Sequence, residues 1–229
     1  MLGNVIDKHF NNVLIISEKT EYAQSISQVA KTILKGKIKH EISFETAEKD
    51  FDIIATRVKD ILPGIEAIII MAQTEASTSN IIKSFHKAGI QQAFTGKIIG
   101  YPFMSSRAFL DNVGPELANN LYNITFGPDT SKHPEGKKVL DDFMAKHTLR
   151  SMNLVPQLVT EAVWAVSDAI QKGAASREDF YTYFSSITPE HPRTGIFGSY
   201  YFSGSDAIGV PYFMEKIDNG VARVVSDFE

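Results

Sequence analysis

The sequence contains no cysteine, which excludes disulfides, thiolate metal sites and thiol nucleophiles. It also lacks an excess of basic charge, because 23 Lys and Arg stand against 27 Asp and Glu, for a formal net charge of -4. Without a basic field to gather phosphates, nucleic acid is not an expected partner. The longest apolar run, residues 67–72, is far too short to cross a bilayer.

The first ten residues do not resemble a secretory signal, since they have no basic region followed by an apolar one. Two interpretations remain open. The chain is cytoplasmic as written, or it is a mature form or fragment whose leader is missing.

Motifs for catalysis are also missing. The turn after the first predicted strand, residues 17–22, has no glycine, so the dinucleotide-binding fingerprint is absent. The sequence has no Walker loop, no G-x-S-x-G elbow and no H-E-x-x-H motif. We therefore predict no catalytic residue, no metal site and no cofactor, and a protein that is not an enzyme.

Regular alternation of strand and helix patterns fills the first part of the chain. A continuous apolar run at residues 13–16 is typical of a strand buried on both faces, and residues 65–72 are predicted to form another buried strand. Further strands are predicted at residues 38–44, 93–99 and 121–126, with amphipathic helices between them. This order predicts an α/β fold with a doubly wound, mostly parallel sheet.

The second part has a different pattern. Helices are predicted at residues 136–147 and 154–172, and a third one begins at Ser176. From Gly195 the apolar period becomes two, which predicts C-terminal antiparallel strands, with a turn at residues 218–220.

Ligands of open α/β sheets bind beyond the carboxyl ends of the strands, so the loops there hold the candidate binding residues. Tyr22 begins a helix, where its ring either covers a ligand or packs on its own turn. Gln73 and Thr74 offer neutral donors and acceptors, although Thr74 or Ser77 is also expected to cap the next helix. Tyr101 follows the fourth strand and is placed to wall a pocket, whereas Phe103 and Met104 are expected in the core. The predicted ligand-binding residues are Tyr22, Gln73, Thr74 and Tyr101.

Several short blocks occur in an order that resembles the Leu/Ile/Val-binding type I periplasmic binding proteins, the receptors of branched-chain amino-acid ABC transporters. The blocks are Glu21-Tyr22-Ala23, Ala47 to Phe51, Lys87 to Ile90, Phe94-Thr95-Gly96, Thr160 to Val163, Gly195, Phe202-Ser203 and Asp218-Asn219-Gly220.

The resemblance implies that residues 1–129 form the second α/β lobe, that residues 130–194 resemble helices of the first lobe, and that residues 195–229 are closing strands. The family's opening portion, on the order of a hundred residues, has no counterpart here. The implied function is capture of a small, amino-acid-like ligand for an ABC importer or a sensor, with a permease or sensor as partner and a periplasmic location. Tyr22 matches the family tyrosine that covers the ligand. No carboxylate stands near Ile99 or Gly100, where the family's ammonium-binding acid is expected.

The helix faces at residues 139–143, 158–170 and 180–187 would then lack the sheet that they cover in the family. Three outcomes are open: the faces fold back on this chain, pair with a second copy, or dock on another chain. Pairing into a homodimer is favoured. The alternative function is a degenerate interaction module that self-associates or binds a protein partner, and a third is a small α/β enzyme.

Overall fold

A computed structural model of the chain describes residues 2–127, 134–147, 154–204 and 206–228. They belong to two compact units, one formed by Met1–Thr125 with Phe213–Glu229 and the other by Phe126–Tyr212. The sequence predicts one closing segment from residue 195, but the units divide that segment after Tyr212, because its first strands form a separate sheet. The predicted boundary between residues 129 and 130 lies outside the described residues.

The first unit is built on a mostly parallel sheet. Its strands are β1 (Val13–Glu18), β2 (Ile38–Phe44), β3 (Ala67–Met71), β4 (Lys97–Tyr101), β5 (Tyr122–Phe126), β9 (Tyr212–Asp218) and β10 (Val221–Val225), and three further strands, β6 to β8, belong to the second unit. The order across this sheet is β10-β9-β5-β4-β3-β1-β2. The pairs from β2 to β5 are parallel, and β10 is antiparallel to β9. The predicted fold class is confirmed.

Helices cover both faces of this sheet. They are α1 (Leu2–His9), α2 (Glu21–Ile33), α3 (Phe51–Ile61), α4 (Glu75–Lys87), α5 (Ile90–Ala93), α6 (Arg107–Val113) and α7 (Pro115–Ala118). Alternate residues of β1 enter two separate cores, since Leu14 and Ile16 pack with α3 and α4 while Val13 and Ile15 pack with α1 and α2. A strand that is buried on both faces needs apolar residues at every position, which explains the continuous runs in the sequence.

The fourth strand was predicted at residues 93–99, but the structure places it at Lys97–Tyr101. Residues 90–93 form the short helix α5, and β4 begins only at Lys97. A single helical turn is too short to show a period, so its apolar residues cannot be told from a strand by pattern alone. The short helices α6 and α7 were missed for the same reason.

The second unit contains α8 (Pro134–Lys146), α9 (Leu154–Gln171) and α10 (Arg177–Ser185) with the strands β6 (Arg193–Gly195), β7 (Gly198–Ser203) and β8 (Asp206–Ile208). These strands form a three-stranded antiparallel sheet. Ser176 caps α10 as predicted, and it forms a capping box with Asp179. Across the described ranges, none of the helices combines the length and apolarity that a membrane span requires.

Candidate functional site

The carboxyl edge of the parallel sheet is the first candidate site. Within the sheet, β1 lies between β2 and β3. The chain therefore passes from β1 to β2 on one side of β1, and then crosses to β3 on the other side. In doubly wound sheets with the order 2-1-3-4-5, the ligand crevice opens at this change of direction, beyond the ends of β1 and β3. The register places Ser17 beside Met71 and Met71 beside Tyr101, so the three strand ends are level.

A buried carboxylate lies at this point. Glu18 is the last residue of β1 and is 0% exposed. Its Oε2 accepts a hydrogen bond of 2.6 Å from the backbone N–H of Gln73, which begins the loop after β3. Among the described residues, no hydrogen-bond partner reaches its Oε1. Glu18 therefore links the two strand ends through one oxygen and keeps a second, buried acceptor unused.

Polar side chains surround the end of β1. Gln24 donates from Nε2 to the carbonyl of Glu18 at 3.0 Å and lies 3.3 Å from the Ser17 hydroxyl. Ser17 and Ser43 hydroxyls are 3.3 Å apart. Lys19, the next residue along the chain, forms its ion pair with Glu45 at 2.6 Å. The cation nearest to Glu18 in sequence is therefore engaged with another carboxylate.

The loop after β3 contributes two predicted residues. Thr74 is the N-cap of α4, and its Oγ1 accepts a hydrogen bond from the Ser77 N–H at 3.1 Å, which is the capping alternative considered from the sequence. Gln73 is exposed, and its backbone binds Glu18. The structure thus brings Gln73 to the end of β1 and gives Thr74 the role of a helix cap.

The two predicted tyrosines lie on the neighbouring elements. Tyr22 is in the first turn of α2 and is 37% exposed. Tyr101 ends β4, is half-buried, and packs against the core beside α1 and α2. Tyr22 follows the end of β1 and Tyr101 is the last residue of β4, but ligand contact by Tyr22, Gln73, Thr74 and Tyr101 stays a prediction.

Asn123 fixes the loop that follows Tyr101. It is fully buried on β5, donates to the Pro102 carbonyl and the Ser105 hydroxyl, and accepts from the Met104 N–H. Its amide nitrogen, which has two hydrogens to donate, also lies 3.0 Å from Glu215 Oε2. Met104 is 0% exposed, as predicted for a core residue. This loop is therefore rigidly held, which is a property expected of a binding-site wall.

The second unit contains a buried ionic cluster that sequence analysis missed. Glu161 on α9 accepts hydrogen bonds from the Tyr200 hydroxyl at 2.7 Å, the Ile196 N–H at 2.6 Å and Arg193 Nε at 3.2 Å. Arg193 also pairs with Asp168. Burial, and then the bond to Glu161, raise the pKa of the Tyr200 hydroxyl above its ordinary value. Both oxygens of Glu161 accept hydrogen bonds within this unit, so the cluster ties α9 to the strands.

A cavity of about 370 Å³ lies beside this cluster, within the second unit. Its lining is mostly apolar and aromatic, and consists of Phe126, Leu158, Glu161, Ala162, Ala165, Phe184, Phe197, Tyr200, Phe202, Ala207, Val210 and Tyr212. The volume suits a small molecule or a few apolar side chains. Because Glu161 and Tyr200 are bonded to each other and most of the lining is apolar, the cavity favours apolar contents.

An apolar stripe runs along the exposed side of α9. It consists of Val159, Val163, Val166 and Ile170, which are 41–61% exposed. The predicted exposure of the face at 158–170 is confirmed for these residues. By contrast, Leu140 of α8 and Ile187, which follows α10, are buried. Leu140 packs with Ile196 and Phe197, so that face folds back on this chain.

Metal binding finds no support in the part of the chain that the structure describes, where His, Asp and Glu form no group of three suited to an ion. The carboxylate that the resemblance expects near Ile99 or Gly100 is also absent. Glu18 is the buried acid of this edge instead. In the sequence, Glu18 is recognisable only as the carboxylate at the end of a mostly apolar strand.

No family model matches the sequence, and no curated protein matches it. Solved structures do. A leucine-binding protein from Thermotoga maritima shares 17% identity and a TM-score of 0.80, over 98% of this chain and 63% of its own. The branched-chain amino-acid substrate-binding protein of Streptococcus pneumoniae, solved with isoleucine, shares 21% identity and a TM-score of 0.76, over 97% and 64%.

A solute-binding protein from R. palustris, solved with benzoate, shares 10% identity and a TM-score of 0.73, over 97% of this chain and 60% of that one. This chain thus spans less than two thirds of the length of the structures it matches. Identities this low establish the fold and leave the ligand open.

Proposed function

We propose that this chain, which has the fold of the Leu/Ile/Val-binding type I periplasmic binding proteins, captures a small polar ligand and catalyses no reaction. The observation that carries the proposal is the group of polar residues at the change of direction between β1 and β3. There Glu18 is buried with an unused oxygen and Gln73 is exposed beside it. Polar groups that are held rigidly at a strand edge can bind a solute with little loss of conformational entropy.

In this role the chain is the substrate-binding component of an ABC importer, or a sensor, and its partner is a permease or a sensor protein. The neighbours that are named for leucine, isoleucine and branched-chain amino-acid binding support an amino-acid-like ligand. They also support a periplasmic location; a cytoplasmic one remains the alternative. No cofactor is part of this proposal.

Ligand affinity of this chain alone is expected to be weak, since one unit supplies all the contacts at the edge of the sheet. A thermal-shift screen against the common amino acids and benzoate at millimolar concentration tests the proposal. Stabilisation follows RT ln(1 + [L]/Kd), or about 2.7 kcal/mol at a hundred times Kd. A screen in which no compound raises the unfolding midpoint would reject ligand capture by this chain.

The second candidate function is an interaction module that self-associates, and the apolar stripe of α9 favours it. The stripe positions alternate in steps of four and three residues, which is the spacing of a helix–helix seam. The flanking residues Thr160, Ala162 and Ser167 are small and uncharged, so two copies of the stripe would meet without a like charge among these neighbours.

Light scattering on a size-exclusion column distinguishes this alternative. Val163→Glu should dissociate a homodimer that is held by the stripe, because it would bury an unpaired charge. Val29→Glu on α2 is the matched control, since Val29 is 59% exposed and Val163 is 61% exposed. A wild-type chain that remains monomeric at every concentration would exclude the homodimer.

A further inference from the structure

The cavity of the second unit owes its size to one face of α9. Leu158, Ala162 and Ala165 follow one another in steps of four and three residues, so they share a face of the helix. Two of the three are alanine, and their small side chains leave a volume of about 370 Å³ inside the lining. An apolar cavity of about 150 Å³ already takes up benzene. The cavity of this unit is therefore large enough for a molecule of one or two rings.

This cavity has a buried floor and a mouth that is open to solvent. Ala165, Phe197 and Tyr200 are 2–5% exposed and form the floor. Ala207 is exposed and Tyr212 is 41% exposed, so these two lining residues mark the mouth. A small molecule can therefore enter from solvent and bury its apolar surface against the floor.

Aromatic rings form much of the lining. Tyr200 and Phe202, alternate residues of β7, meet edge to face with ring centroids 5.7 Å apart. Phe184 of α10 meets Phe202 in the same way at 6.3 Å. Phe126 and Tyr212 lie 5.8 Å apart with tilted rings. Because aromatic rings attract one another in such arrangements beyond the burial of their area, this lining favours an aromatic ligand over a saturated one.

The ionic cluster beside the cavity determines the charge of what can bind. Glu161 lines the cavity, and its cluster contains two carboxylates, from Glu161 and Asp168, against the single guanidinium of Arg193. An anion would therefore meet a cluster of its own sign. A cation would exchange its hydration for a mostly apolar lining and for a carboxylate that already accepts three hydrogen bonds. Both considerations favour an uncharged ligand.

We propose that this cavity is a second binding site, which takes an uncharged aromatic molecule of one or two rings. Its lining belongs wholly to the second unit. The site is separate from the polar ligand proposed for the edge of the parallel sheet, so either proposal can fail without the other.

Three ligands of similar size test the chemistry in the unaltered protein: benzyl alcohol, cyclohexylmethanol and benzoate. Trp164 belongs to the same small core as Phe126, Phe197 and Val210, which also line the cavity, so its emission should change on binding. Benzyl alcohol should bind about twofold to tenfold more tightly than cyclohexylmethanol, because ring–ring contacts add to burial. Benzoate should displace benzyl alcohol only at a concentration at least about tenfold higher. Displacement at equal concentration, or no response to benzyl alcohol at millimolar concentration, would overturn the proposal.

Variants that fill the cavity test its place in the fold. Ala207→Trp adds a large side chain at the exposed mouth and should weaken benzyl alcohol binding at least about tenfold. Ala175→Trp is the matched control, since Ala175 is an exposed alanine of the same unit outside this lining, and it should bind as the wild type does. Ala165→Phe fills the floor and should also abolish binding. Should overpacking prevent its folding, the comparison of the two tryptophan variants still decides the question.

Equal affinity for benzyl alcohol in the wild type, Ala207→Trp and Ala165→Phe would refute the site. A second copy of the chain as the occupant would also refute it. That result would appear in light scattering as a wild-type dimer that Ala207→Trp dissociates and Ala175→Trp does not.

Discussion

Replacing Glu161 by glutamine should strongly destabilise the second unit. All three partners of the carboxylate are donors: the Tyr200 hydroxyl, the Ile196 N–H and Arg193 Nε. An amide has one acceptor oxygen, and its NH₂ group would face a donor. The variant also withdraws one of the two carboxylates that neutralise Arg193, whose side chain is only 6% exposed.

Breaking a buried ion pair by removing one partner costs about 3–5 kcal/mol. Asp168 remains beside Arg193, so a loss near 3 kcal/mol is expected. With a urea m-value of about 2 kcal/mol/M, the unfolding midpoint should fall by roughly 1.5 M.

Urea unfolding followed by tryptophan fluorescence is the assay. The only tryptophan of the chain is Trp164, on α9, and it packs against the core of the second unit. Its emission therefore reports the affected unit directly. Glu178→Gln, an exposed carboxylate of α10, is the control and should change stability by less than about 0.5 kcal/mol. A loss below about 1 kcal/mol for Glu161→Gln would show that the cluster does not hold α9 to the strands.

Three further outcomes are expected. Gly195→Ala should destabilise the same unit and lower the tryptophan-detected midpoint, because a Cβ there would lie 2.1 Å from Glu161 Oε1. The pKa of Tyr200 is raised in the folded protein. Its hydroxyl therefore stabilises the fold fully at pH values below about 10, the pKa of an unfolded tyrosine. This stabilisation is lost as the pH rises from there toward the higher pKa of the folded state. Tyr200→Phe should flatten this alkaline loss in unfolding experiments between pH 9 and 11, and an unchanged slope would contradict it. Ser176→Ala removes the cap of α10, including its bonds with Asp179, and should cost about 1 kcal/mol in thermal unfolding.

The layered core of the first unit could be predicted from sequence because its signals are local. Residues 13–16 and 67–72 are apolar at every position, which only a strand covered on both faces needs. The Asn219-Gly220 turn was also predictable, since both residues adopt positive φ angles between paired strands. The resemblance to periplasmic binding proteins is confirmed at the level of fold.

Glu18 and Glu161 were beyond sequence analysis because burial is set by elements that are distant along the chain. Glu18 contacts the loop after β3, and Glu161 contacts residues 193–200. Each is a carboxylate beside apolar residues, and that pattern alone does not distinguish a buried acid from a surface one. The lobe assignments of the three predicted segments stay predictions, as do the ligand contacts of Tyr22 and Tyr101.

The discontinuous first unit has a consequence for synthesis on the ribosome. One of the two sheet neighbours of β5 is β9. The ribosome makes the whole second unit after β5 and before most of β9. Until Ile217 emerges to bond the backbone of Asn120 and Leu121, the nascent chain presents β5 with one open side. An open strand side recruits other chains. Polypeptides that stop before residue 213 should therefore aggregate, and chaperones that shield strand edges should be needed most during translation of the second unit.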